Sequence, residues 1–206
     1  MVMLYEEYVK TNRDAFIAKV VNISQKLGIM PEWLMQVFMN ESGMNHQAVN
    51  KTSNATGLIQ FMPDTAKALG TTVETLKAMT NVQQLDWVYK YLSPYTGKMQ
   101  SYIDVYFSVF FPLAIGKADE WVFQTSKLSA ALIAKQNPVF DINKDGKLTV
   151  AEVREAMLRK VPEQWRDFFY QKKKEIMIGT GTVFLLAAAV GIWMWWRKKE
   201  RKNVRM

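Results

Sequence analysis

Asn40-Glu41-Ser42-Gly43-Met44-Asn45, followed by Ala48 and by Gly57-Leu58-Ile59-Gln60-Phe61-Met62-Pro63 with Thr65-Ala66, is the stretch on which the fold turns. Upstream of it, Pro31 sits where a first helical turn tolerates proline, and the residues that follow are good helix formers. Leu34, Val37, Phe38 and Glu41 recur at spacings of three and four, so they share one face of the predicted helix. A carboxylate therefore extends an apolar stripe. Burial beside such a stripe disfavours the ionised form and raises a carboxyl pKa. A raised pKa suits a general acid that must give up a proton near neutral pH. By itself Glu41 also reads as a solvated helix-end residue; the glycine-opened, glutamine-bearing segment after it tips the reading.

Outward from this centre, most of residues 5–135 carries helical periodicity and few alternating apolar runs. The double block around Glu41 and Gln60 resembles the soluble lytic transglycosylases, which share a core with goose-type lysozyme. The matching positions are Glu41, Ser42, Gly43, Asn45, Ala48, Gly57, Leu58, Gln60, Met62, Pro63, Thr65 and Ala66. Gln84-Leu85-Asp86-Trp87-Val88 with Tyr91-Leu92 looks like the next helix of phage versions of the domain. Asp104-Val105-Tyr106 and Phe111 to Lys117 look like the last, so the likeness runs over roughly residues 10–135. The resemblance implies cleavage of the β-1,4 bond between N-acetylmuramic acid and N-acetylglucosamine in peptidoglycan. It implies Glu41 as the catalytic acid and base, with Ser42 and Gln60 lining the cleft. Gly57 would let backbone approach the glycan. Many family members carry Ala-Tyr-Asn-Ala-Gly in the later helix. Here the text is Val105-Tyr106-Phe107-Ser108-Val109, which keeps Tyr106 as a substrate-orienting candidate and lacks the asparagine. The only histidine, His46, and the carboxylates Asp64 and Asp86 read as structural or surface residues.

A second pattern follows. Asp141-Ile142-Asn143-Lys144-Asp145-Gly146-Lys147-Leu148-Thr149-Val150-Ala151-Glu152 fits a twelve-residue EF-hand loop. Asp141, Asn143 and Asp145 supply oxygen at positions 1, 3 and 5. Lys147 offers its carbonyl, Thr149 acts through water and Glu152 closes the set with two oxygens, so Ca²⁺ is the expected cofactor. Lys144 and Lys147 weaken the local negative field. A solitary hand is expected to act as a structural staple and not as an opening sensor.

The formal charge of +8 resembles a nucleic-acid signal until it is located. Residues 1–170 hold 18 Lys+Arg against 17 Asp+Glu, whereas residues 171–206 hold 9 against 2. Within the basic end, Ile176 to Trp196 are 21 uncharged residues flanked by Lys172-Lys173-Lys174 and Arg197-Lys198-Lys199, with Trp193, Trp195 and Trp196 at one end. At ~1.5 Å per residue the run is about 31 Å long, so it reads as one transmembrane helix. Lys and Arg near its two ends are equal in number, which leaves the orientation open. Cysteine is absent, which excludes disulfides and thiolate metal sites. No secretory signal is expected from the acidic start.

The expected architecture is thus mainly α: a lysozyme-like helical domain over 1–135, a single EF-hand-like helix-loop-helix over 136–160, a basic juxtamembrane helix over 161–175, a transmembrane helix over 176–196 and a basic tail over 197–206. The expected partners are peptidoglycan glycan strands, a lipid bilayer and capsid or other virion proteins, with a weak nucleic-acid contact for the tail. A C-terminal anchor without a signal peptide points to the internal membrane of a phage particle, the bacterial inner membrane being the alternative location. Competing function classes are a catalytically inactive membrane-anchored structural or wall-binding protein, and a calcium-responsive binding module.

Overall fold

The computed structural model describes residues 3–171. The fold is mainly α-helical. Its elements are α1 (Arg13–Leu27), α2 (Pro31–Ser42), α3 (Pro63–Ala68), α4 (Val73–Ala78), α5 (Asn81–Leu92), α6 (Tyr102–Phe110), α7 (Ala130–Gln136), α8 (Val150–Arg159) and α9 (Arg166–Tyr170), with short 3-10 turns between several of them. Among the described residues the only β pairing consists of isolated bridges, Val49 with Thr56, Thr56 with Phe61, and Val122 with Thr149.

Helix α2 is the hub. Pro31 opens it at the first turn, where its missing N–H costs nothing. Trp33, Leu34, Met35, Val37 and Phe38 are all fully buried, so the helix is apolar around most of its circumference. It packs against α1 on one side and α6 on another, while α1 also lies along α5. Each such side chain contributes about 1.5–3 kcal/mol of burial. Gly43 ends the helix in the left-handed region at φ 58°, and the N–H of Met44 closes the turn on the carbonyl of Phe38 at 3.3 Å. Glu41 is thereby held in the last turn, at the edge of the core.

The chain after α6 is fastened to the rest by aromatic packing. Phe107, Phe110 and Phe111 meet Phe123 at ring separations of 5.2–5.9 Å, and Phe140 meets Phe110 at 5.3 Å. Phe169 of α9 closes edge-on against Tyr102 of α6 at 4.9 Å. Helix α8 starts with a capping box, in which Thr149 and Glu152 satisfy each other's backbone N–H groups.

The structure corrects the expected membrane topology. Among the described residues no helix is long and apolar enough to cross a membrane. The longest of them, α1, has 15 residues, about 22 Å of helix against a ~30 Å hydrocarbon core. The 176–196 run and the tail lie outside the described residues, so the single-pass anchor and the membrane location built on it are withdrawn. Over its described part, 161–171, the expected juxtamembrane helix is not one continuous helix. Helix α8 ends at Arg159, Pro162 precedes a 3-10 turn over Glu163–Trp165, and α9 is five residues long.

Candidate functional site

The Glu41 carboxyl is half-buried, and burial pushes its pKa up from the ordinary 4.5 to about 7, with the Lys160 ammonium pulling the other way. No hydrogen bond to the carboxyl contributes to that balance. Three tyrosines lie within its electrostatic reach, Tyr91 from α5 and Tyr102 and Tyr106 from α6. Burial is the main cause that raises all three phenols, and the Glu41 charge adds to it; Tyr91 reaches about 12. At neutral pH these groups are neutral hydroxyls around an acid that still holds much of its proton.

A polar relay supports the acid from behind. Tyr5 donates to Oε1 of Gln36 at 2.9 Å, Nε2 of Gln36 to Oδ1 of Asn40 at 3.1 Å, and Nδ2 of Asn40 to the Tyr102 hydroxyl at 2.8 Å. Gln36 and Tyr102 are fully buried, and each polar atom in the run has a partner. The relay pins the residue preceding Glu41 to α6. The Tyr91 hydroxyl donates to the Ser108 carbonyl at 2.8 Å, which ties α5 to α6 on the other flank.

The other expected contact residues have definite places. Ser42 Oγ lies 3.0 Å from the Phe38 carbonyl and 3.1 Å from the Leu58 carbonyl, so it stitches α2 to the 57–61 segment. Gln60 adopts φ 52°, and its Nε2 donates to the Gly57 carbonyl at 3.0 Å. Tyr106 stacks on Phe110 at 5.5 Å and meets Phe140 edge-on, with its ring buried and its hydroxyl within reach of the Glu41 charge. His46 is partly buried, which lowers its pKa.

Gln84 is a residue the sequence did not single out as functional. It is fully buried; Oε1 accepts from the Leu58 N–H at 2.6 Å, and Nε2 donates to the carbonyls of His46 at 2.9 Å and Leu76 at 3.0 Å. One amide thus organises the whole loop between α2 and α3. It also explains Gly57, which has φ 85°, and where a Cβ would stand 2.5 Å from Gln84 Oε1. The neighbour that demands a bare backbone there is a protein side chain. Asn40, Tyr91, Tyr102 and Lys160 were likewise unsignalled, although Tyr102 and Tyr106, spaced i and i+4 on one helix face, are a pattern that could have drawn notice.

The 141–152 loop is closed by its own groups. Asp141 Oδ2 accepts from the Gly146 N–H at 3.1 Å, Asn143 Oδ1 from Asp145 N–H at 2.8 Å, and Asp145 Oδ1 from Lys147 N–H at 2.9 Å. Glu152 accepts from Thr149 and from the Asn143 N–H. Backbone pairing continues outward, with Phe123 N–H to the Leu148 carbonyl and Val150 N–H to the Trp121 carbonyl. No group of three or more His, Cys, Asp or Glu among the described residues is placed to hold a metal. One oxygen is left over: Asp141 Oδ1 is buried with no hydrogen-bond partner.

Residues 20–106 match the family model of the Transglycosylase SLT domain. A lytic-transglycosylase-like domain therefore occupies this part of the chain, a narrower span than the 10–135 expected from the sequence. It contains Glu41, the 57–66 block, Gln84, Tyr91, Tyr102 and Tyr106, and ends before the 121–171 region. No curated protein matches the chain. No solved structure matches it either.

Proposed function

We propose that this chain cleaves the β-1,4 bond between N-acetylmuramic acid and N-acetylglucosamine in peptidoglycan, with Glu41 as its single acid and base. The lytic-transglycosylase-like domain is consistent with action on peptidoglycan in general. The finer reading is carried by one observation, a half-buried carboxyl at the end of α2 whose pKa lies near 7 and which takes no hydrogen bond from the described residues. Such a group retains a transferable proton at working pH. It protonates the bridging oxygen as the C1–O bond breaks, and the electron pair leaves with that oxygen. The cationic centre is relieved by the substrate's acetamido oxygen, so a second carboxylate is not needed. Glu41, now ionised, then takes the proton of the incoming nucleophile. If that nucleophile is the muramic C6 hydroxyl the product is a 1,6-anhydro sugar; if it is water the product is a reducing end.

The test is digestion of purified sacculi by the full chain beside Glu41→Gln, followed by mass spectrometry of the fragments. New glycan ends from the wild type and none from the variant are expected, and the two products differ by one water. Equal release by both, or by neither, refutes the assignment.

A second proposal concerns the 141–152 loop, which we infer takes Ca²⁺ through Asp141, Asn143, Asp145, the Lys147 carbonyl, Thr149 and Glu152. Its support is the buried, unpartnered Oδ1 of Asp141, together with oxygen donors suited to a hard cation. Bound there, Ca²⁺ supplies only cross-linking between the loop and the start of α8. Calorimetric titration of the chelator-treated protein with CaCl₂ checks it. Heat with one-site saturation, lost in Asp141→Ala, is expected; no heat for the wild type refutes it.

A further inference from the structure

We infer that the cavity between α6, α8 and α9 is a second binding site, which takes a carboxylate carried on a short apolar body and holds it through Lys98 and Lys117. That chemistry is shared by a short acyl chain and by the alanine-ended terminus of a peptide. The inference does not depend on the reading of Glu41 as the acid.

The cavity has a volume of about 780 Å³, within the roughly 300–1,000 Å³ of small-molecule sites. Its lining includes none of Glu41, Ser42, Gln60 and Tyr106. Tyr102 and Phe107 of α6, Val150 and Leu158 of α8 and Phe169 of α9 form an apolar floor of buried side chains. The walls are tied to one another. Asp104 of α6 accepts from the Gly116 N–H at 3.0 Å, which fixes the turn that carries Lys117. Further along that segment, both carboxylate oxygens of Asp119 accept from the Arg154 guanidinium of α8. The Asp119 carbonyl accepts from the Ala151 N–H at 3.0 Å, a second tie between the same two walls. The cavity is therefore a formed part of the fold.

Charge decides what the cavity takes. Its lining carries the carboxylates of Asp104 and Asp119 and the cations Lys98, Lys117 and Arg154. Asp104 is buried, and its second oxygen accepts from the Gln100 N–H at 3.0 Å and the Ser101 hydroxyl at 2.8 Å. Asp119 and Arg154 are committed to each other. Lys98 and Lys117 belong to none of the ion pairs among the described residues, and both are exposed. Lys117 Nζ stands 6.0 Å from the centre of the Trp121 ring. A ligand cation would meet carboxylates already engaged by internal donors. A ligand carboxylate would meet two ammoniums with donors to give. The floor sets the rest of the ligand: an alkyl body gains by leaving water for those apolar side chains, whereas a compact hydrated anion would leave them uncovered.

The experiment titrates the full chain with sodium hexanoate, with hexanol and with N-acetyl-D-alanyl-D-alanine, and follows the backbone amide resonances of Ser101 and Gly116, two lining residues, by NMR. Saturable shifts with hexanoate or the dipeptide are expected, and at least about tenfold weaker binding of hexanol, which has the body without the charge. The double variant Lys98→Gln/Lys117→Gln should weaken binding of both carboxylates by about tenfold or more, and Lys98→Arg/Lys117→Arg should retain it. Ala118→Trp, at an exposed lining position, should obstruct the cavity and abolish the shifts. All three positions are exposed, so the fold is expected to survive each change. Tighter binding of the dipeptide assigns the site to a peptide terminus, and tighter binding of hexanoate to an acyl chain; either order upholds it. No saturable shift with either carboxylate overturns the inference, as does hexanol binding equal to hexanoate, or unchanged binding in both the glutamine double variant and Ala118→Trp.

Discussion

Glu41→Gln should stabilise the protein, and only above a definite pH. The folded carboxyl titrates near 7 against an ordinary 4.5. Between those values the folded chain holds a proton that the unfolded chain has released, so stability falls as pH rises through the window. Below about 4.5 the group is neutral in both states and costs nothing; above about 7 it is charged in both and the full cost is present. A gap of about 2.5 units at ~1.36 kcal/mol per unit gives an upper bound near 3.4 kcal/mol. The side chain is partly exposed, so water screens some of this, and about 2 kcal/mol is the expected figure. Glutamine has the same shape and no charge at any pH. Urea denaturation of both proteins, at about pH 4 and about pH 8.5, should therefore show near-equal stability at the lower pH and a gain of about 2 kcal/mol for the variant at the higher, with the m-value unchanged. By thermal melting the gain corresponds to roughly 4–8 °C for a chain of this size. A gain of the same size at both pH values, or a loss at about pH 8.5, would show that the carboxyl is not held in a desolvating site.

Four further substitutions concern the scaffold. Gly57→Ala should cost about 2–4 kcal/mol in urea denaturation, from a left-handed φ of 85° plus displacement of Gln84. Gly43→Ala, at φ 58° with nothing within 4 Å, should cost only about 1–2, and equal losses would count against the Gln84 contact. Gln84→Leu strands the Leu58 N–H and the carbonyls of His46 and Leu76, so a loss of about 2–4 kcal/mol is expected; a neutral result by the same assay would contradict the hub role. Thr149→Ala removes the cap of α8 and should cost about 1 kcal/mol, measured as a drop in the melting midpoint.

Part of this molecule was legible residue by residue. Pro31 and Gly43 bracket α2, and the three-and-four spacing from Leu34 to Glu41 places the acid on the apolar face; helix limits and faces depend on neighbours within a turn or two. The loop pattern at 141–152 was equally local, and its Thr149–Glu152 pair emerges as a helix cap. The apolar run at 176–196 was also a local reading, but among the described residues no helix is long and apolar enough to cross a membrane. What required tertiary structure was everything that gives Glu41 its environment. Tyr91, Tyr102, Tyr106 and Lys160 come from α5, α6 and the end of α8, far along the chain, and no periodicity links them to residue 41. Why Gly57 must be glycine was hidden for the same reason, since the atom that fills its space belongs to Gln84. A carboxyl's proton affinity is set by which groups fold over it and how much water they exclude, and that depends on long-range packing that a local pattern does not carry.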